Sequence, residues 1–344
     1  MSIIKVIPVT DPGNRLVAGP ARRVRVITDP GNRLVAGRII RVYAVAEGER
    51  AIQAGPPIDV YEVNESNGLV TPTPIYPVYV VEGTLGGGLD TEYLTVESSY
   101  SAQPSDAWRN AASDLFVDIR AALGITTLSD AFDFMYILAH EVAADALINI
   151  VNPGTHNATN VNAMAFEANR GVTGDGASSH LDTNFNPSTQ GVNYQQNSAC
   201  IGIYSRTNVD TNNMTDMGGQ DNSTRTIRMA IRNSDTFISG VNGNESGLVA
   251  GNLDSRSLFT ANRSASNAVQ GYKAGVLIDT GSGASAALPN VTLFIGAYHA
   301  SALTIAYSTR QYAFALAGRS MDATEQADFY TAIQTFMTAI GAQV

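Results

Sequence analysis

Apolar and polar positions follow three rhythms along the chain, and each predicts a different kind of element. At the front, valines stand eighteen residues apart at Val6, Val24, Val42, Val60 and Val78. A second apolar series, Val9, Ile27, Val45, Val63 and Val81, follows three positions behind. The segment Thr10–Gly19 recurs unchanged as Thr28–Gly37. Each repeat reads as strand, turn, strand: a β-branched run such as Arg41 to Val45 leads to Asp-Pro-Gly-Asn, where Pro at the second position and Gly at the third suit a type II turn. One such unit cannot bury its apolar face, so it must stack on neighbours, other copies or another surface.

In the middle, apolar residues recur at helical spacing. Trp108, Ala112, Leu115, Ile119 and Leu123 form one stripe between Ser105 and the stop at Gly124, predicting a helix. Phe132, Met135, Tyr136, Ala139, Val142 and Ala146 suggest a second, from about Ser129 to Ile150. Before them, Gly83 to Gly88 reads as a flexible linker and Tyr93 to Val96 as a short strand.

At the rear the rhythm shortens to strands bounded by Gly, Asn, Asp or Pro: Ala199 to Ser205, Thr226 to Arg232, Thr236 to Ser239, Gly247 to Ala250, Gly271 to Asp279, Asn290 to Tyr298 and Gln311 to Leu316. Many short strands at regular spacing predict a β-sandwich. A last helix over Ser320 to Ala342 opens on an acidic capping box, Asp322 with Glu325, and carries Phe329, Ile333, Phe336, Met337 and Ile340 on one stripe. The chain is therefore expected to be mainly β. A repeat arm (1–82) leads through a linker (83–104) and a helical pair (105–150) to a sandwich with a C-terminal helix (151–344).

Charge sharpens this division. Residues 1 to 50 carry nine Lys/Arg against four acids, a net of +5, so the rest of a chain of net charge −10 holds −15. Arg15, Arg22, Arg23, Arg25, Arg33, Arg38 and Arg41 make the arm a basic strip suited to docking on an acidic surface. Only 15% of residues are charged, as suits a polar β-rich surface, and the single Cys200 excludes an intrachain disulfide framework. No signal-like opening and no run of about 18 apolar residues occurs, which predicts a soluble protein made in the cytoplasm and not inserted in a membrane.

The stretch from Ala165 to Asn208 resembles a segment of tailed-bacteriophage virion structural proteins that carry a concanavalin A-like jelly roll. The matching residues are Phe166, Ala168, Arg170 to Gly171, Gly174 to Gly176, Leu181 to Thr183, Phe185 to Ser188, and Ser205 to Thr207. The likeness runs from about Asp106 to Val344 and leaves out the repeats. It implies a spike, fibre or capsid decoration on the virion surface. The arm would bind major capsid or other virion proteins, either as a trimeric β-spiral shaft, which implies a homotrimer, or as an extended arm adding strands to its host.

Candidate chemistry is sparse. His140-Glu141 lacks the second histidine of a zincin, position 144 being alanine. The carboxylate cluster of a glucanase is missing, and no Walker loop, dinucleotide fingerprint or basic-aromatic patch for nucleic acid occurs, so neither enzyme activity nor a cofactor is expected. Asp210, Asn212 and Asp216 gather oxygen ligands in one loop, a weak calcium pattern without EF-hand order. Tyr194 and Tyr298, near turns, are weak candidates to stack on the sugar rings of a host surface glycan.

Overall fold

A computed structural model describes residues 89–243 and 247–344 and, before residue 89, the backbone of five strands. The chain divides into two compact units, Met1–Gly88 and Leu89–Val344. In the first, β1 (Ile4–Val6), β2 (Arg22–Val24), β3 (Ile39–Val45), β4 (Ala54–Tyr61) and β5 (Tyr76–Val81) each contain one valine of the eighteen-residue series. The pairing repeats with it. Ile4 faces Val24 across an antiparallel pair, and thirty-six residues on Ile40 faces Val60 in the same register. Strand β3 also pairs in parallel with β5, Val42 opposite Val78, two repeats apart. Each of these strands is the first strand expected of a repeat; the strands expected after the turns, over 15–19 and 33–37, lie outside the described residues. The Asp-Pro-Gly-Asn turns and Arg15, Arg25, Arg33 and Arg38 lie outside the described residues; Arg22, Arg23 and Arg41 are placed only as strand backbone.

The second unit opens with α1 (Thr91–Glu97), where a strand inside a linker was expected. Asp90 caps it, accepting from the N–H groups of Glu92 and Tyr93, and Tyr93 and Val96, one helical turn apart, are buried. The Tyr93 ring meets Phe116 edge-on at 5.7 Å, so this segment belongs to the core. Helix α2 (Asp106–Leu123) follows as expected, capped by Ser105 and stopped at Gly124 with φ 60°, and its stripe is buried.

The expected second helix is instead the strand β6 (Phe132–Ile137), followed by irregular chain and a 3-10 turn at Asp145–Leu147. The reason lies in burial on both faces. Phe134, Tyr136 and Leu138 point into the space between the two sheets, while Met135 and Ile137 point at the helices. A strand buried on both sides is a continuous apolar run, in which a helical stripe can be found by accident.

The remaining strands are β7 (Thr159–Val161), β8 (Ala165–Glu167), β9 (Gly171–Thr173), β10 (His180–Asp182), β11 (Ala199–Ser205), β12 (Met217–Asn222), β13 (Arg225–Ala230), β14 (Thr236–Gly243), β15 (Leu248–Gly251), β16 (Ser257–Ala265), β17 (Ala268–Lys273), β18 (Val276–Gly281), β19 (Phe294–Ile295), β20 (Tyr298–Ala300), β21 (Leu303–Ile305) and β22 (Gln311–Gly318). The short α3 (Pro187–Gln190) lies between β10 and β11. Two sheets form. One has the order β18-β17-β16-β11-β22-β9-β8, with β6 also beside β22; the other runs β15-β14-β13-β12-β19-β10-β7, with β20 and β21 attached. Pairing is antiparallel except for β12 with β20. This is the expected sandwich.

Three layers result. The two sheets close on a core that includes Ile201, Ile203, Ile227, Met229, Phe237 and Phe259. The other face of the β22 sheet is covered by α2 and the C-terminal helix α4 (Ala323–Ala339), through Cys200, Tyr204 and Phe314. Helix α4 has the expected Asp322/Glu325 capping box, and Trp108 packs edge-on against Phe336 at 5.9 Å. The expected strand Gly271–Asp279 is a hairpin, because Ala274 and Gly275 both take positive φ. Strand β16 went unforeseen because Thr260, Asn262 and Arg263, polar in sequence, are buried with hydrogen-bond partners.

Candidate functional site

The residues that carry the phage resemblance build framework. Gly171 takes φ 120°, and a Cβ there would lie 1.9 Å from the carbonyl oxygen of Tyr312, so only glycine lets β9 meet β22. Asp175, between Gly174 and Gly176, accepts from the N–H groups of Ala177, Ser178 and Ser179, and these bonds hold its carboxyl far below the usual carboxylate range. Leu181 and Phe185 are core residues, and Asn186 caps α3 ahead of Pro187. Arg206, inside the Ser-Arg-Thr triplet, donates to the carbonyl of Ala342 at 2.7 Å and to Gln311 Oε1 at 2.6 Å, tying β11 to the chain end.

Three polar loops meet: 206–216 between β11 and β12 and 252–256 between β15 and β16, which pass from one sheet to the other, and 231–235, the hairpin turn between β13 and β14. Beneath them Arg310 and Asp216 are paired with both side chains fully buried. Arg310 Nη1 lies 2.8 Å from each carboxylate oxygen, and Nη2 donates to the carbonyls of Val209 and Arg232, one in each of two loops. The Tyr312 hydroxyl, 2.6 Å from Asp216 Oδ1, and the Ile231 N–H, 2.8 Å from Oδ2, complete the carboxylate's partners. Burial opposes the Arg310 charge, but Asp216 outweighs it and holds the guanidinium above its ordinary pKa.

Above this strut the loops interlock through side chains. Arg232 donates to Asn208 Oδ1 at 2.7 Å and to Asp235 Oδ1 at 2.6 Å. Asn213, Ser234 and Asp235 hold positive φ, and Leu253 projects with 72% of its surface exposed. Guanidinium, carboxylate and amide groups on a rigid base, with one apolar tip, are chemistry that can hold a polyhydroxylated ligand.

The three calcium candidates accept hydrogen bonds from the protein itself. Asp216 is spent on Arg310, whereas Asp210 accepts from the Asp235 N–H at 3.2 Å and Asn212 accepts from the Ser234 hydroxyl. Among the described residues no group of three or more His, Cys, Asp or Glu is placed to hold a metal ion. Neither candidate tyrosine offers a ring face to a sugar. Tyr194 is wholly buried, its hydroxyl donating to Asn242 Oδ1 at 2.9 Å. Tyr298 is 4% exposed, bonded to Gln220, with the Arg228 guanidinium 5.6 Å from its ring centroid. His140 sits in the irregular chain after β6, not on a helix. Cys200 is a buried thiol pushed up to about 12 by desolvation, which makes it unreactive, in keeping with a structural thiol.

Sequence reasoning missed Arg232, Asp235, Asn252 and Lys273. The only local signal for Arg232, Asp235 and Asn252 is their place in or beside Asn/Asp/Ser-rich segments at strand ends, and Lys273 has none beyond the Ala-Gly turn that follows it.

No family model matches the chain, and no curated protein matches it. Among solved structures it is similar to a Trypanosoma rangeli sialidase at 8% identity and a TM-score of 0.45, covering 66% of this chain and 39% of that one. It is similar to the botulinum neurotoxin serotype C1 binding domain at 12% identity and 0.42, covering 60% and 53%, and to the CBM40 of the Ruminococcus gnavus IT-sialidase at 13% and 0.32, covering 39% and 82%. The chain spans about two fifths of the sialidase's length. All three scores lie below one half, a level from which neither common topology nor common function follows.

Proposed function

We propose that this chain is a structural protein of a tailed-phage virion, a spike, fibre or capsid decoration, anchored by its basic repeats and displaying the sandwich outward on the particle. The observation that carries the reading is the division at Gly88/Leu89: the eighteen-residue repeats and their positive charge fall in one unit, and the segment resembling phage virion proteins falls wholly in the other. Units that differ in periodicity, charge and resemblance suit an anchor and a head. The repeats' fixed pairing register suits strand addition, to capsid or tail proteins or between copies in a homotrimer. The role needs neither catalysis nor a cofactor, nucleic acid or a membrane span; among the described residues no helix is long and apolar enough to cross a membrane. Deleting residues 1–82 is expected to leave a soluble head that is absent from purified particles. Incorporation equal to that of the full chain would overturn the anchor.

The loop rim over Arg310 and Asp216 favours a second reading, in which the head recognises a host-surface glycan during adsorption. Binding of the full chain to surface polysaccharide on a glycan array, lost on changing Arg232 to Ala, supports it; an array without signal leaves a purely structural head.

A further inference from the structure

Lys273 closes β17 in one sheet, and Asn252 begins the loop that leaves β15 in the other. Lys273 Nζ lies 2.9 Å from Asn252 Oδ1 and 2.6 Å from the carbonyl oxygen of Asp254, with the Phe259 ring centroid 5.3 Å away. Asn252 is 5% exposed, and its amide is fixed from both ends. Its Nδ2 donates to the Ile231 carbonyl at 2.6 Å, and its Oδ1 also faces the Asp254 N–H at 3.4 Å.

We propose that this pair is a modification site, at which Lys273 and Asn252 join in an intramolecular amide cross-link between the two sheets. The constellation holds each part the reaction needs. A lysine amine becomes a nucleophile when it is desolvated or set beside other cations. Lys273 is half-buried, and desolvation lowers its pKa against the pull of Asp254. The Asn252 carbonyl is the electrophile, and the Asp254 N–H stands where the developing oxyanion needs a donor.

The neutral amine attacks Cγ of Asn252, forming the Nζ–Cγ bond. Collapse of the tetrahedral intermediate breaks Cγ–Nδ2. The proton lost by Nζ passes to Nδ2, and the nitrogen leaves as ammonia. Nothing is oxidised or reduced. The product staples two sheets at the loop end of a chain whose single cysteine excludes an intrachain disulfide.

Intact mass spectrometry of the full chain tests this. The wild type is expected about 17 Da below its sequence mass, the mass of one ammonia lost to nucleophilic acyl substitution. K273R and N252A are each expected at the full mass of their own sequences. Trypsin is expected to spare Lys273 and to yield one branched peptide joining residues 233–256 to 264–310. Full sequence mass with cleavage after Lys273 overturns the proposal. So does a deficit that persists in K273R, which places the ammonia loss elsewhere.

Discussion

Replacing Asp216 with alanine is expected to cost about 3–5 kcal/mol, because it strands the Arg310 guanidinium as an uncompensated buried charge. The loss also leaves the Tyr312 hydroxyl without its carboxylate partner and the Ile231 N–H without an acceptor. Urea titration of the full chain, followed by a probe in the sandwich, should show a lower midpoint with an unchanged slope. Replacing both members with apolar residues, D216L with R310M, should recover much of the loss, since removing a buried pair together avoids the unpaired charge. A D216A loss below about 1 kcal/mol would mean that the strut is dispensable and that the three loops are held by their own side chains.

Acid is expected to weaken the sandwich unit through His140. The ring is fully buried between Tyr100, centroid 4.7 Å away, and Trp108, at 4.3 Å. Its Nδ1 accepts from the Val142 N–H at 3.0 Å, which assigns the proton to Nε2, and Nε2 has no partner, nor does the nearby Tyr100 hydroxyl. Two carboxylates close in sequence pin the chain beside it: Glu141 accepts from the Ser105 N–H and Asp145 from the Ser101 N–H, each at 2.7 Å.

Desolvation lowers the His140 pKa from 6.5 to about 4, against the pull of Asp145 and Glu141. Because the folded value lies below the unfolded one, the unfolded chain takes up the proton first. Stability is therefore complete above pH 6.5 and is lost at up to about 1.4 kcal/mol per pH unit as pH falls toward 4. His140→Phe removes the titration, and other groups are common to both proteins. The stability of wild type minus that of H140F should thus fall as pH falls through this window. A difference that stays constant from pH 7 to 4 would show that His140 titrates normally.

Much of the fold was legible because it rests on local rules. Ser105 and Gly124 bound α2, Asp322 and Glu325 start α4, and each valine of the eighteen-residue series lies in a strand. Runs such as Ala199–Ser205 and Gln311–Leu316 needed only their apolar and aromatic content to be read as strands. Where the structure departs from local rules, burial decides. Phe132–Ile137 carries a helical stripe by accident because it is buried on both faces, and β16 lacks an apolar pattern because it buries polar side chains against distant partners.

The candidate site shows the same boundary. Asp210, Asn212 and Asp216 looked alike in one loop, yet only Asp216 meets Arg310, 94 positions away in sequence. Tyr194 and Tyr298 stood near turns, and burial removed both as sugar platforms.

By itself, then, the chain's order of residues determined its periodicities, its helix caps, its charge division and its β-rich class, since each depends on neighbours within about one turn or one repeat. The tertiary structure alone decided which polar groups are structural and which face outward, and it brought Lys273 to Asn252. Burial and hydrogen-bond satisfaction are set by strands far apart in the sequence, and local spacing carries no record of them.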